Sequence, residues 1–167
     1  MTSALNLARL AALVAIFGFF LPWAEVSCSG QPVVHATGIQ LITGGASGLG
    51  GPPVRHDLWV ALSLGLTVLG LAGGLLVRGR RAAAALAAAA LAAAVTSLIG
   101  VSQEVPGNEV RAQLAAGPSG DAAAPAGELV AARLQYGYFV TLGGLIVAIA
   151  GAGLALAGQR APRSEPR

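Results

Sequence analysis

One cysteine, no lysine and very little charge limit this chain before any motif is considered. Cys28 stands alone, so no disulfide can form within the chain, and zinc ribbons and CxxC redox sites are excluded. All ten basic residues are arginine. Charged residues make up 10 % and aromatic residues 5 % of the 167 positions. Three apolar runs, Leu58–Val77, Ala82–Val101 and Tyr136–Ala157, contain no Asp, Glu, His, Lys or Arg. Proton relays, ion-coupled transport and haem ligation need such groups at depth, so those activities are disfavoured. The pI near 10.0 does not imply nucleic acid as a partner, because the arginines are spread along the chain rather than gathered on one face.

What is abundant is hydrocarbon. The chain is 55 % hydrophobic, with a mean hydropathy of +0.73. Four stretches, Leu5–Trp23, Leu58–Val77, Ala82–Val101 and Tyr136–Ala157, each have about the 20 residues that an α-helix needs to cross ~30 Å of lipid. Lipid cannot satisfy open backbone groups, so the expected fold is an all-α membrane protein. It is a four-transmembrane-helix bundle of one membrane domain, residues 1–167, with helices at about 5–23, 58–77, 82–101 and 136–157. Outer loops then cover 24–57 and 102–135, a cytoplasmic turn covers 78–81, and a cytoplasmic tail covers 158–167. The Arg9 to Cys28 region has the outline of a lipoprotein signal, but Glu25 occupies a position where that signal wants an aliphatic residue. The first helix is therefore read as retained.

Arginine asymmetry sets the orientation. Arg9, Arg78, Arg80, Arg81, Arg160, Arg163 and Arg167 fall on one side, and Arg55, Arg111 and Arg133 on the other. The richer side is cytoplasmic, which places both termini there and the protein in the cell (inner) membrane. Arg9 lies near that side and can snorkel to it. Trp23, Trp59, Tyr136 and Tyr138 then collect at the outer interface, as anchors or as the rim of a binding mouth.

Helix association in lipid depends on close contact. Ala61/Gly65 and Gly70/Gly74 on the second helix, and Gly144, Ala148 and Ala152 on the fourth, are the expected packing positions. Ser63, Thr67, Thr96, Ser97 and Thr141 can bond across helices. Eleven of the thirteen residues Ala82–Ala94 are alanine, a thin helix that inserts as a hairpin with the second and lies centrally. In the first outer loop, Ala24–Cys28 followed by Gln31–Gly45 mixes β-branched residues with Gly and Pro and predicts two or three short strands, a small sheet on the bundle, with Gly44–Pro53 as Gly/Pro punctuation behind it. In the second, Ala115–Ala126 reads as mobile and Glu128–Arg133 as an outward extension of the fourth helix.

LPWAEVSCSG followed by ATGIQLITGG resembles uncharacterised small bacterial four-helix membrane proteins with an LPWxxVSCxG first outer loop. The layout is also similar to claudin-like tetraspans, without their disulfide. The resemblance implies architecture and supplies no activity.

Two motifs look chemical. Thr43–Gly50 copies the dinucleotide fingerprint TGxxxGxG, but Pro52-Pro53 block the helix that must follow, and no lysine exists for the catalytic pair. Gly45-Ala46-Ser47-Gly48 matches the GxSG of rhomboid proteases, but no histidine lies in any span. His35, His56 and Asp57 share the outer side with Cys28, and Asp57 reads better as the N-cap of the second helix than as a metal ligand. The expectation is a non-catalytic protein with no cofactor, metal or catalytic residue. It acts as an accessory or scaffold subunit, or as a self-associating tetraspan, in the lipid bilayer with a protein partner or as a homo-oligomer. The alternative is a pore or export component formed between protomers. The segment carrying Trp23, Cys28 and Gln40 is expected to pack as one unit at the outer end, with Trp59, Tyr136 and Tyr138 beside it.

Overall fold

The computed structural model describes residues 2–28, 31–44, 47–48, 57–77, 79–103 and 130–158. In chain order these form α1 (Thr2–Gly18), β1 (Pro22–Cys28), β2 (Gln31–Thr37), α2 (Gly38–Thr43), β3 (Ser47–Gly48), α3 (Leu58–Leu76), α4 (Arg80–Gln103), β4 (Val130–Leu134) and α5 (Tyr136–Gly158). Residues Leu58–Leu76, Arg80–Ser102 and Tyr136–Gly158 are long and apolar enough to cross a membrane, while Ser3–Gly18 is a shorter apolar helix.

The first helix is shorter than its hydropathy suggests. It ends at Gly18, not at Trp23. Pro22 disfavours helical backbone at Leu21, and the chain winds down through three tight i→i−3 bonds from Phe19, Phe20 and Leu21 N–H. Trp23 therefore belongs to β1.

The long helices form a ring in which α1 lies on α5, α5 on α4, and α4 on α3, with α1 and α3 making the lightest junction. Small residues set the closest approaches. A Cβ on Gly144 would lie 2.9 Å from both Ala11 O and Ala15 N, and one on Gly151 would lie 3.1 Å from Ala4 O. Gly18 and Thr141 meet at the sheet-bearing end of the same pair. Between α3 and α4, a Cβ on Gly70 would lie 2.5 Å from Ala89 Cβ, and Gly74 faces Leu86. The core is thus a layer of Ala8, Ala11, Ala12, Ala15, Ala90, Ala93, Ala148 and Ala152 around Leu71, Leu86 and Leu145. The alanines of α4 let it contact α3 and α5 broadly at once.

Of the five hydroxyls, only the serines bond across helices. Ser63 and Ser97 share a 2.6 Å Oγ–Oγ hydrogen bond, and Ser63 Oγ also donates to Ala93 O at 2.9 Å. Thr67, Thr96 and Thr141 donate to carbonyls of their own helices. Arg9 reaches across to α3. Its Nε donates to Gly74 O of α3 at 3.0 Å, Nη2 bonds the same oxygen, and Nη1 donates to Asn6 Oδ1 at 3.3 Å.

The strands make a four-stranded antiparallel sheet ordered β3-β2-β1-β4. Two expectations change here. Val130–Leu134 is a strand rather than a helical extension, because the free edge of β1 offers its backbone a full ladder, with Ala24 opposite Leu134 and Cys28 opposite Val130. Gly38–Thr43 is helical rather than extended, because Thr37 and Gln40 form a capping box. The Gly/Pro run after Gly48, the Ala115–Ala126 stretch and the arginine tail from residue 159 lie outside the described residues.

Candidate functional site at the sheet-bearing end of the bundle

Strands β1 and β4 lead directly out of α1 and into α5, so the sheet stands on the end of the bundle where these helices meet. Beneath it lies a second core of Phe19, Trp23, Val60 and Tyr138, flanked by Ile39, Leu41, Ile42, Leu64, Val101 and Leu142. Trp23 is its centre, at 1 % exposure. Its ring lies 4.8 Å from Phe19 and meets Tyr138 edge-on at 5.6 Å. Its Nε1 donates to Gly18 O at 2.9 Å, which satisfies a carbonyl at the C-terminus of α1. Trp23 and Tyr138 are therefore internal to the protein rather than interfacial anchors, since the sheet and α2 cover them. Trp59 and Tyr136 do present their rings outward.

Helix α2 is fitted onto this knot. A Cβ on Gly38 would lie 3.0 Å from both Phe19 Cδ1 and Trp23 Cε2, and Ile39 N–H donates to Phe19 O at 3.0 Å. Gln40 N–H donates to Thr37 Oγ1 at 3.2 Å, and Gln40 Oε1 accepts from Thr37 N–H at 2.9 Å. Gly44, left-handed at φ 75°, ends the helix where a side chain would be strained. The structure thus brings Trp23 and Gln40 into one unit. Cys28 stands at the opposite end of β1, in register with Gln31 and Val130.

Asp57 joins the cap to α3. It is 3 % exposed, and its Oδ1 accepts from Trp59 N–H at 2.8 Å and Val60 N–H at 3.1 Å, the N-cap arrangement expected of it. Its own N–H donates to Leu41 O at 2.9 Å. Gly100 of α4 makes room for it: a Cβ there would lie 3.2 Å from Asp57 Oδ2. Asp57→Ala should cost about 0.5–2 kcal/mol and Asp57→Asn much less, since asparagine caps equally well. Thermal unfolding in detergent checks the order, and equal losses for both would assign the effect to charge instead.

The two outer segments are also joined by side chains. Glu25 Oε2 accepts from Gln135 Nε2 at 2.6 Å and lies 3.7 Å from His35 Nδ1. Gln135 N–H donates to Trp23 O at 2.8 Å. Glu25 is flanked in register by His35 on β2 and Arg133 on β4, a polar row across three strands. Such partly exposed pairs each contribute about 0–1 kcal/mol, so they set register more than stability.

Among the described residues, no group of three His, Cys, Asp or Glu side chains is placed to hold a metal ion. Every described buried side-chain nitrogen or oxygen has a hydrogen-bond partner. His56 lies outside the described residues. The dinucleotide-like run does not form the strand-then-helix turn that fingerprint needs: Thr43 ends a helix and Ser47 opens a strand. Sequence reasoning missed Phe19, Gln135 and β4. Only the β-branched Val130 and the Pro22 helix stop hinted at them.

Comparison with protein-family models finds no match for this chain, and comparisons with curated proteins and with solved structures find none either.

Proposed function

We propose that the protein is a non-catalytic, four-span integral membrane protein that works through its outer cap, as an accessory or scaffold subunit or by self-association. The observation that carries this reading is the cap itself. Its sheet draws three strands from the first outer segment and one from the second and is seated on the Trp23 knot, which makes one surface from parts 110 residues apart. Trp23, Thr37, Gln40 and Asp57 in and around the knot are engaged in capping and cross-linking backbone, which suits recognition better than chemistry. α1 completes the four spans in this reading, because it lies along α5, a helix of membrane length, from Ala4/Gly151 to Gly18/Thr141. The lipid bilayer covers the aliphatic girdle of Leu10, Leu69, Leu91 and Ile146. The arginine count supports an inner-membrane location with both termini cytoplasmic. The LPWxxVSCxG loop supports kinship with the small bacterial four-helix membrane proteins that carry it.

Alkaline carbonate extraction of membranes, followed by native mass spectrometry in mild detergent, tests both halves. The expected result is retention in the membrane pellet and release as a complex with a second polypeptide or with further copies. Recovery in the soluble fraction would overturn the membrane assignment. A monomer under all mild conditions would overturn the subunit role.

A further inference from the structure

The close approaches that fasten this bundle are unevenly distributed. Gly18, Gly144 and Gly151 bring α1 and α5 together, and Gly70, Gly74 and Gly100 bring α3 to α4. At none of these glycines does the Cβ position face across the α1–α3 junction, which is also the lightest of the ring. The bundle is thus two tight pairs, α1/α5 and α3/α4, joined broadly through α4 and α5 and only thinly on the other side. The one side-chain hydrogen bond across that thin side, among the described residues, is the two-pronged contact of Arg9 with Gly74 O.

We infer that the α1–α3 seam opens at the end of the bundle away from the Trp23 knot, that α4/α5 is its hinge, and that Arg9 is the latch. The contact is built to release. Gly74 is among the last four residues of α3, so its carbonyl has no partner within the helix and is served by the guanidinium when the seam is shut. Gly74 lies two residues from the end of α3, and Arg9, seven residues into α1, lies level with it. In the bilayer reading, an opened Arg9 reaches interfacial water along its own stem, and the freed carbonyl is hydrated at the same level. Neither is stranded in hydrocarbon, which keeps the open state accessible. The α1/α5 contact reaches backbone atoms, the α3/α4 contact is held by Gly70 on Ala89 Cβ and by Ser63 on Ala93 O and Ser97, and both persist as the seam parts.

Pulsed electron–electron spin distances on the full-length protein in nanodiscs test this, with Cys28→Ser removing the native thiol. One label pair at Leu7 and Leu75 spans the seam, and a control pair at Leu91 and Ile146 spans the hinge; all four positions are exposed. In the Arg9→Gln variant a longer Leu7–Leu75 population should grow about tenfold, the loss expected for one charged hydrogen bond. The Leu91–Ile146 distances should not change, and Arg9→Lys should fall between the two. If Arg9→Gln does not accumulate, warming the Arg9-containing protein serves instead, and the Leu7–Leu75 distribution must broaden before the Leu91–Ile146 one. An unchanged seam distance overturns the proposal. So does simultaneous broadening of both pairs, which would make Arg9 a general structural residue.

Discussion

Gly144→Leu should detach α1 from α5, whereas the same change one residue earlier, Gly143→Leu, should be nearly silent. The two glycines are adjacent in sequence and about 100° apart around the helix. Gly144 faces inward, where even a Cβ would lie 2.9 Å from Ala11 O and Ala15 N. Those atoms are backbone, so the only relief is for α1 to move away. A Cβ on Gly143 meets nothing within 4 Å. Gly144→Ala is expected to cost about 1–3 kcal/mol and Gly144→Leu more than that, while both Gly143 changes stay within about 0.5 kcal/mol. The consequences extend outward. α1 leads through the Phe19–Leu21 turns into β1, and β1 is the strand to which both β2 and β4 are paired. Loss of the α1/α5 contact should therefore loosen the sheet as well. Thermal melts and size-exclusion profiles in detergent give the first reading, and proteolysis of the outer face gives the second. Equal tolerance at both positions would show that α1 is not held by this stripe.

The same contrast marks how far the sequence could be read. Hydropathy is a local property, and it places α3, α4 and α5 to within two residues of their observed ends. It fails at Leu21–Trp23, where an apolar run continues but Pro22 stops the helix, so backbone geometry outweighs side-chain character. Small-residue spacing is less informative. Ala61/Gly65 and Gly70/Gly74 look alike, yet Gly65 and Gly70 are five residues and about 140° apart, so they cannot serve one interface. Gly70 packs on Ala89, while Gly65 faces open space. Asp57 is legible because an N-cap is decided within four residues. β4 is not, because its ladder partner lies more than one hundred residues away and Val-Ala-Ala-Arg-Leu has no strand pattern of its own. The Glu25–Gln135 bond is hidden for the same reason. Trp23 is conspicuous in the sequence as the one tryptophan beside a proline, but local reading gives it the role of an anchor. Only the tertiary fold turns it inward.

That inward turn makes Trp23 the residue on which the cap depends, and its removal should have the largest effect outside the helix pairs. Trp23→Ala deletes a fully buried ring between Phe19 and Tyr138 and leaves a void beneath β1 and α2. Losses for such truncations are about 3–5 kcal/mol. Trp23→Phe keeps most of the aromatic contact but not the Nε1 donor to Gly18 O. That carbonyl still receives Leu21 N–H at 3.2 Å, so the cost should fall to about 1 kcal/mol. Because Trp23 and Trp59 are the only tryptophans, Trp59→Phe isolates the signal of the buried ring. In that background Trp23 should emit at short wavelength and resist iodide quenching until the protein melts. Trp23→Ala should lower the melting temperature and expose the Gly38–Thr43 helix to protease, since Gly38 rests on the missing ring. The bundle should retain most of its helical circular dichroism, because the Gly144 contact with Ala11 and Ala15 and the Gly70 contact with Ala89 lie away from the knot, which α3 and α4 border only through Val60, Leu64 and Val101. If Trp23 is instead quenched as readily as an exposed indole, or if Trp23→Ala melts with the unmutated protein, the cap is not seated on this ring. The recognition surface proposed above would then lose its foundation.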